Sequence, residues 1–95
     1  MTEVKINTQR SPTYREAYAN SVRVQVSVWD FFLSFGVMHQ DTPEAATIIE
    51  EQAIYLSPQQ AKALWQLLGQ NLAQYEQTFG PLNLETKDEE RQAIH

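Results

Sequence analysis

Alternation is the first regularity along the chain. Over residues 18–28, Val22, Val24, Val26 and Val28 occupy one parity while Arg23, Gln25 and Ser27 occupy the other. A period of two built from β-branched residues predicts a strand over about 19–28, dry on one face and wet on the other, as antiparallel pairing produces. The phase then slips. Trp29, Phe31, Leu33 and Phe35 are apolar at odd positions, with Asp30 and Ser34 at even ones and Phe32 breaking the pattern. A slip of one residue needs a turn or a bulge. Asp30 is the expected pivot, since a short carboxylate accepts nearby backbone N–H groups. A second strand is therefore predicted over about 31–38, with Gly36 placed to permit a bulge or a close backbone approach. Residues 39–44, HQDTPE, read as a loop. The third strand is predicted over 46–56, where Ile48, Ile54 and Leu56 share parity with Glu50 while Ile49 and Tyr55 oppose them. That irregularity predicts a further bulge near Glu50–Glu51.

A period of 3.6 takes over after Leu56. Ser57-Pro58-Gln59-Gln60 is a helix start: a hydroxyl cap, a proline where its missing donor costs nothing, and a glutamine able to close a capping box. Ala61, Trp65, Leu68, Leu72, Tyr75 and Phe79 then recur at spacings of four, three, four, three and four, with Leu64 and Leu67 widening the stripe. Gly80-Pro81 ends it. The prediction is one helix over about 58–79, about 33 Å long.

The order strand, strand, strand, helix predicts an α+β fold, a three-stranded antiparallel sheet packed in two layers by one long C-terminal helix. Residues 1–16 read as a flexible N-terminal arm with weak alternation at Val4 and Ile6, residues 17–82 as a single domain, and residues 83–95 as an acidic flexible tail. More large apolar groups are present than one helix-on-sheet contact hides. Trp29, Phe31, Phe32, Phe35, Leu64 and Leu67 are the surplus, and they are the candidate interface. A homo-oligomer is expected, a two-fold dimer foremost. Lys62 and Glu76, fourteen apart, are too distant to pair within one helix and are placed to meet across such an axis.

Composition narrows the functional classes. The 95 residues are 42% hydrophobic and carry no cysteine, so disulfides and thiolate chemistry are excluded. The net charge is −5, divided between a +2 balance in residues 1–28 and a −7 balance in the rest. With no Lys/Arg cluster, a nucleic-acid partner is not expected. No signal-like or membrane-spanning run is present, and a cytoplasmic location with no membrane partner is expected.

The chemistry-bearing residues are sparse. His39, Asp41 and Glu44 offer nitrogen and oxygen ligands within one turn, but three such residues in a six-residue turn are expected from composition alone, and no metal is predicted. Asp30 with Glu50 or Glu51 would make a carboxylate pair for acid–base work if the second and third strands paired suitably. No nucleophile accompanies them. Gly36, Gly69 and Gly80 are scattered and form no phosphate-cradling loop. No catalytic residue and no cofactor is predicted.

Two separated runs carry a family resemblance. Tyr18 and Asn20, then Asp30, Phe31, Leu33, Phe35 and Gly36, then Leu56, Ser57, Pro58, Ala61 and Lys62, and finally Asn71, Tyr75, Glu76, Phe79 and Gly80 occur in the order found in the small bacterial and archaeal proteins of the DUF3467 family. The chain resembles that family over about residues 18–82. The resemblance implies a shared fold and brings no catalytic residue. The functional expectation is a noncatalytic oligomeric protein-interaction or structural adaptor domain. A chaperone-like module for extended apolar segments is the second expectation, and a small enzyme built on paired carboxylates the third.

Overall fold

The computed structural model describes residues 3–84. Three strands, β1 (Ser21–Val26), β2 (Phe31–Thr42) and β3 (Ala45–Leu56), are followed by one helix, α1 (Pro58–Phe79). The strands form an antiparallel meander in the order β1-β2-β3. The expected α+β class and element order are therefore found. The described residues before Ser21 carry no strand or helix; a local turn among them is closed by the Tyr14 N–H donating to the Ser11 carbonyl at 3.0 Å. Of the sequence-based tail over 83–95, residues 85–95 lie outside the described residues.

Strand boundaries differ from the sequence reading in two places. β1 stops at Val26, and Val28 and Trp29 sit in the connection to β2, where Trp29 is 81% exposed. Ser27 closes that turn: its N–H donates to the Asp30 carbonyl at 2.9 Å, and its hydroxyl accepts from the Trp29 and Asp30 N–H groups, both at 3.1 Å. The slip in alternation is thus a hairpin turn. It pairs Val26 with Phe31, Val24 with Leu33 and Val22 with Phe35, so even-numbered valines and odd-numbered β2 residues share a face. The second difference is the predicted loop at 39–44. It is mostly strand, and only Pro43 and Glu44 separate β2 from β3. Thr42 holds this tight turn, its carbonyl accepting from Gln40 Nε2 at 2.6 Å and its hydroxyl from the Glu44 N–H at 3.3 Å.

The expected bulge on β3 is present. Phe35 pairs with Gln52 but Gly36 pairs with Glu50, leaving Glu51 as the extra residue. The bulge resolves the irregular parity of β3. Ile54 and Leu56 face the same side as Leu33 and Phe31. Beyond the bulge Ile49 joins that side opposite Val37, and Glu50 is turned to the other.

The helix begins and ends as its sequence dictates. Ser57 is extended (φ −66°, ψ 157°), its hydroxyl accepts from the Gln60 N–H at 3.1 Å, and Pro58 occupies the first turn. Gly80 ends it at φ 104°, a region closed to side-chain-bearing residues, while its N–H donates to the Glu76 carbonyl at 2.9 Å.

One packing expectation is corrected. Within a single chain α1 does not lie over the valine face of the sheet. Ser57 alone joins the end of β3 to α1, and the helix touches the sheet chiefly through β3, with Ala61, Ala63 and Leu64 half-buried near its start. Further along, Trp65 is 67% and Phe79 72% exposed. Among the described residues no large apolar side chain is fully buried. The Cα radius of gyration is 16.9 Å, against about 12 Å for a compact chain of this length.

Candidate functional site

Register divides the sheet into two unlike faces. Val22, Val24 and Val26 from β1, Phe31, Leu33, Phe35 and Val37 from β2, and Ile49, Ile54 and Leu56 from β3 share one side. Its only polar interruption between Val22 and Leu56 is Gln52, beside the bulge. The edge residues of this face are open to solvent, Val26 being 63% exposed, while the β2 residues at its centre are half-buried. Ala17, Tyr18 and Ala19 approach it and enclose, with Phe35, Gly36 and Ile54, a shallow concavity of about 220 Å³.

Gly36 makes this corner possible. A Cβ built on it would run into the Ile49 carbonyl oxygen and lie 3.0 Å from Glu50 Cα. Both obstacles are backbone, so β2 and β3 approach at the bulge only because position 36 has no side chain. Asn20 secures the other edge. Its N–H donates to the Gly36 carbonyl at 3.0 Å, and its Oδ1 accepts from the Met38 N–H at 2.8 Å. A side-chain amide thus continues the β1–β2 ladder one step beyond the strand.

The opposite face is mixed: Arg23, Gln25, Ser34 and Glu50 share it with Phe32, Tyr55, Met38 and Ile48. Arg23 and Glu50 flank β2 from either side. Arg23 Nε donates to Glu50 Oε2 at 2.8 Å and Nη2 to Oε1 at 3.1 Å, the forked geometry that makes arginine–carboxylate pairs specific. Ser34, 3% exposed, lies beneath them. Phe32 and Tyr55 pack beside the pair with ring centroids 4.9 Å apart and planes tilted by 56°, and the Arg23 guanidinium carbon lies 5.8 Å from the Phe32 centroid. The Arg23 hydrogen bonds hold the Glu50 carboxyl below its ordinary value near 4.5, partial desolvation opposes this, and the Ser34 hydroxyl assists.

A pH dependence follows. A carboxyl depressed in the folded chain stabilises it above the unfolded glutamate pKa, and that contribution is lost as pH falls through the lower folded value. Thermal melts of the parent chain and a Glu50→Gln variant should differ most above pH 5 and converge as pH falls below about 4. A constant gap across that range would show that the ion pair contributes nothing pH-dependent.

The sequence-stated candidates separate in space. Phe31 and Phe35 share the apolar face, while Phe32 lies on the opposite one against Tyr55. Trp29 projects from the β1–β2 turn. Leu64 is half-buried in the helix and Leu67 is exposed. The candidate interface is therefore two surfaces, the sheet face and the helix stripe, with Trp29 and Phe32 outside both. The carboxylates do not converge. Asp30 precedes Phe31 at one end of β2, Glu50 pairs six positions on at Gly36, and the interval is about 20 Å along the strand. Asp30 Oδ1 accepts from the Ser27 hydroxyl at 3.2 Å, so Asp30 does help anchor the turn, but the backbone N–H groups expected to reach its carboxylate go to Ser27 Oγ. Asp41 accepts from the Thr47 hydroxyl, and no group of three metal-ligating side chains occurs among the described residues. No helix among them is long and apolar enough to cross a membrane.

Two features escaped sequence reasoning. The Arg23–Glu50 pair spans 27 residues and becomes visible only once the Glu51 bulge places Glu50 on Arg23's side. Asn20 reads in sequence as a turn residue. Its ladder role depends on β2 continuing past Gly36.

A family model described as "Protein of unknown function (DUF3467)" matches residues 1–84, taking in the N-terminal segment as well as the sheet and helix. No curated protein and no solved structure matches the chain. The chain belongs to the DUF3467 family.

Proposed function

We propose that this protein is a noncatalytic, cytoplasmic, oligomeric domain that serves as a structural adaptor, with a second copy of itself as its first protein partner. The observation that carries the reading is the absence of a closed core in one copy. Among the described residues no large apolar side chain is fully buried, although one sheet face and one helix stripe are almost wholly apolar. The chain exposes 8693 Å², whereas a compact monomer of 11.0 kDa exposes about 5,600 Å². The surplus of roughly 3,000 Å² includes the exposed segment before Ser21 as well as the open sheet face and helix stripe. The net charge of −5 and the scatter of Lys and Arg argue against a nucleic-acid partner.

Light scattering coupled to size exclusion tests this. A discrete dimer or closed higher oligomer is expected across a hundredfold range of concentration. A folded species of single-chain mass at the top of that range would overturn the reading.

One observation favours a second reading, a chaperone-like module. The concavity at Phe35 and Ile54 lies on the apolar face beside the bulge, a place where an extended apolar segment of another protein could lie. Binding of an unfolded apolar peptide by the intact oligomer would support it. An oligomer that binds neither such a peptide nor an apolar dye has consumed that face in self-contact.

A further inference from the structure

The helix stripe reads the same in both directions. Ala61, Trp65, Leu68, Leu72, Tyr75 and Phe79 are spaced four, three, four, three and four, so reversing the helix about the level of residue 70 superimposes the stripe on itself. Ala61 then faces the partner's Phe79, Trp65 the partner's Tyr75, and Leu68 the partner's Leu72, small against large at the ends and like against like at the centre. The spacing is that of a coiled-coil seam, narrower than the stripe of a helix laid on a sheet. Most of the seam is open in one copy: Trp65, Leu68, Leu72, Tyr75 and Phe79 are all exposed.

From these observations we infer that α1 pairs antiparallel with α1 of a second copy across a two-fold axis at the level of Gln70. This rests on the self-assembly reading above and specifies its contact.

Two further features fall within one residue of that axis. On the flank of the seam the same rotation brings Lys62 beside the partner's Glu76, opposite charges offset by about 3 Å along the helix and within reach of two long side chains. Glu76 is half-buried and held in position, its Oε2 accepting from the Leu82 N–H at 2.9 Å. Near the axis, Gly69 passes the partner's Gly69 with a similar offset of about 3 Å. A mid-helix glycine weakens a helix relative to alanine, and nothing among the described residues explains it, since a Cβ added there meets no atom within 4 Å. Close passage of a second helix does explain it.

The chain has no cysteine, which permits a clean cross-linking test. Lys62→Cys and Glu76→Cys variants are mixed one to one and treated with a short bismaleimide. A covalent dimer is expected from the mixture and not from Lys62→Cys alone, whose two thiols would lie about 24 Å apart. In parallel with this, Gly69→Leu should leave the helical circular-dichroism signal unchanged or stronger and weaken dimerisation by on the order of tenfold or more, measured by sedimentation equilibrium. A stable oligomer in which Lys62→Cys cross-links to itself, or the mixture does not cross-link, or Gly69→Leu associates as tightly as the parent, would overturn the helix pairing and leave self-assembly standing. A parent chain that is monomeric throughout would overturn both.

Discussion

Gly36→Ala should destabilise the fold by about 3 kcal/mol and lower the thermal midpoint by about 12–24 °C. The added methyl has no room to turn away. Its obstacles are the Ile49 carbonyl oxygen and Glu50 Cα at 3.0 Å, both main chain of the paired strand, and a rigid backbone yields less readily than the tip of a flexible side chain. The strands must part where the register already shifts. Three linked features are placed at that point: the Asn20 N–H bond to the Gly36 carbonyl, the fork between Arg23 and Glu50, and the concavity against Phe35. Far-ultraviolet circular dichroism melts would measure the loss. A midpoint within about 2 °C of the parent would mean that β2 and β3 are not in close contact at the bulge.

The second large effect concerns concentration. If folding and association are one event, unfolding releases two chains and the midpoint rises with protein concentration. With about 80 ordered residues per copy and an unfolding enthalpy of about 0.7 kcal/mol per residue, the rise should be about 4.5 °C for each tenfold increase. A hundredfold dilution should therefore lower the midpoint by about 9 °C. Differential scanning fluorimetry on a dilution series, checked by circular dichroism, gives the answer. A midpoint independent of concentration would require each copy to be stable alone, despite a helix whose Trp65 and Phe79 face water.

The helix was the most legible element because its signals are local. Ser57, Pro58 and Gly80 act within one turn of their own positions, and the six-residue stripe has a period that no strand can share. The β3 bulge was legible too, because Glu50 on the parity of Ile54 and Leu56 contradicts a regular strand with one apolar face. Strand ends were harder. His39, Gln40, Asp41 and Thr42 look like loop because they are polar, yet His39, Gln40 and Thr42 pair with Thr47, Ala46 and Ala45, with Asp41 the extra residue at a second register shift. That part of the hairpin runs past the end of β1 and buries neither face, so hydrophobic patterning has nothing to record. Val28 erred in the other direction, an apolar residue at the expected strand end that lies in the turn fixed by Ser27 and Asp30.

The placement of α1 was not legible for a different reason. Alternation on β1 and a stripe on α1 establish that each needs a cover, and neither names the chain that supplies it. The decision lies in a linker of one residue, Ser57, whose extended backbone starts the helix at the end of β3. The candidate residues divided accordingly. Phe31 and Phe35 fell on the predicted face because their parity matches the valines across the hairpin. Phe32, of opposite parity, went to the other side with Tyr55.

The outer strand carries one further consequence. Its bulge at Glu51 and the adjoining acid Glu50 make β3 a poor template for an incoming strand, and on the far border β1 is only six residues long. Growth of the sheet from molecule to molecule is thereby discouraged at both margins, which leaves the faces for the self-association proposed above. A two-fold contact of that kind closes on itself, so the proposed assembly would end as a counted particle and not as a fibre.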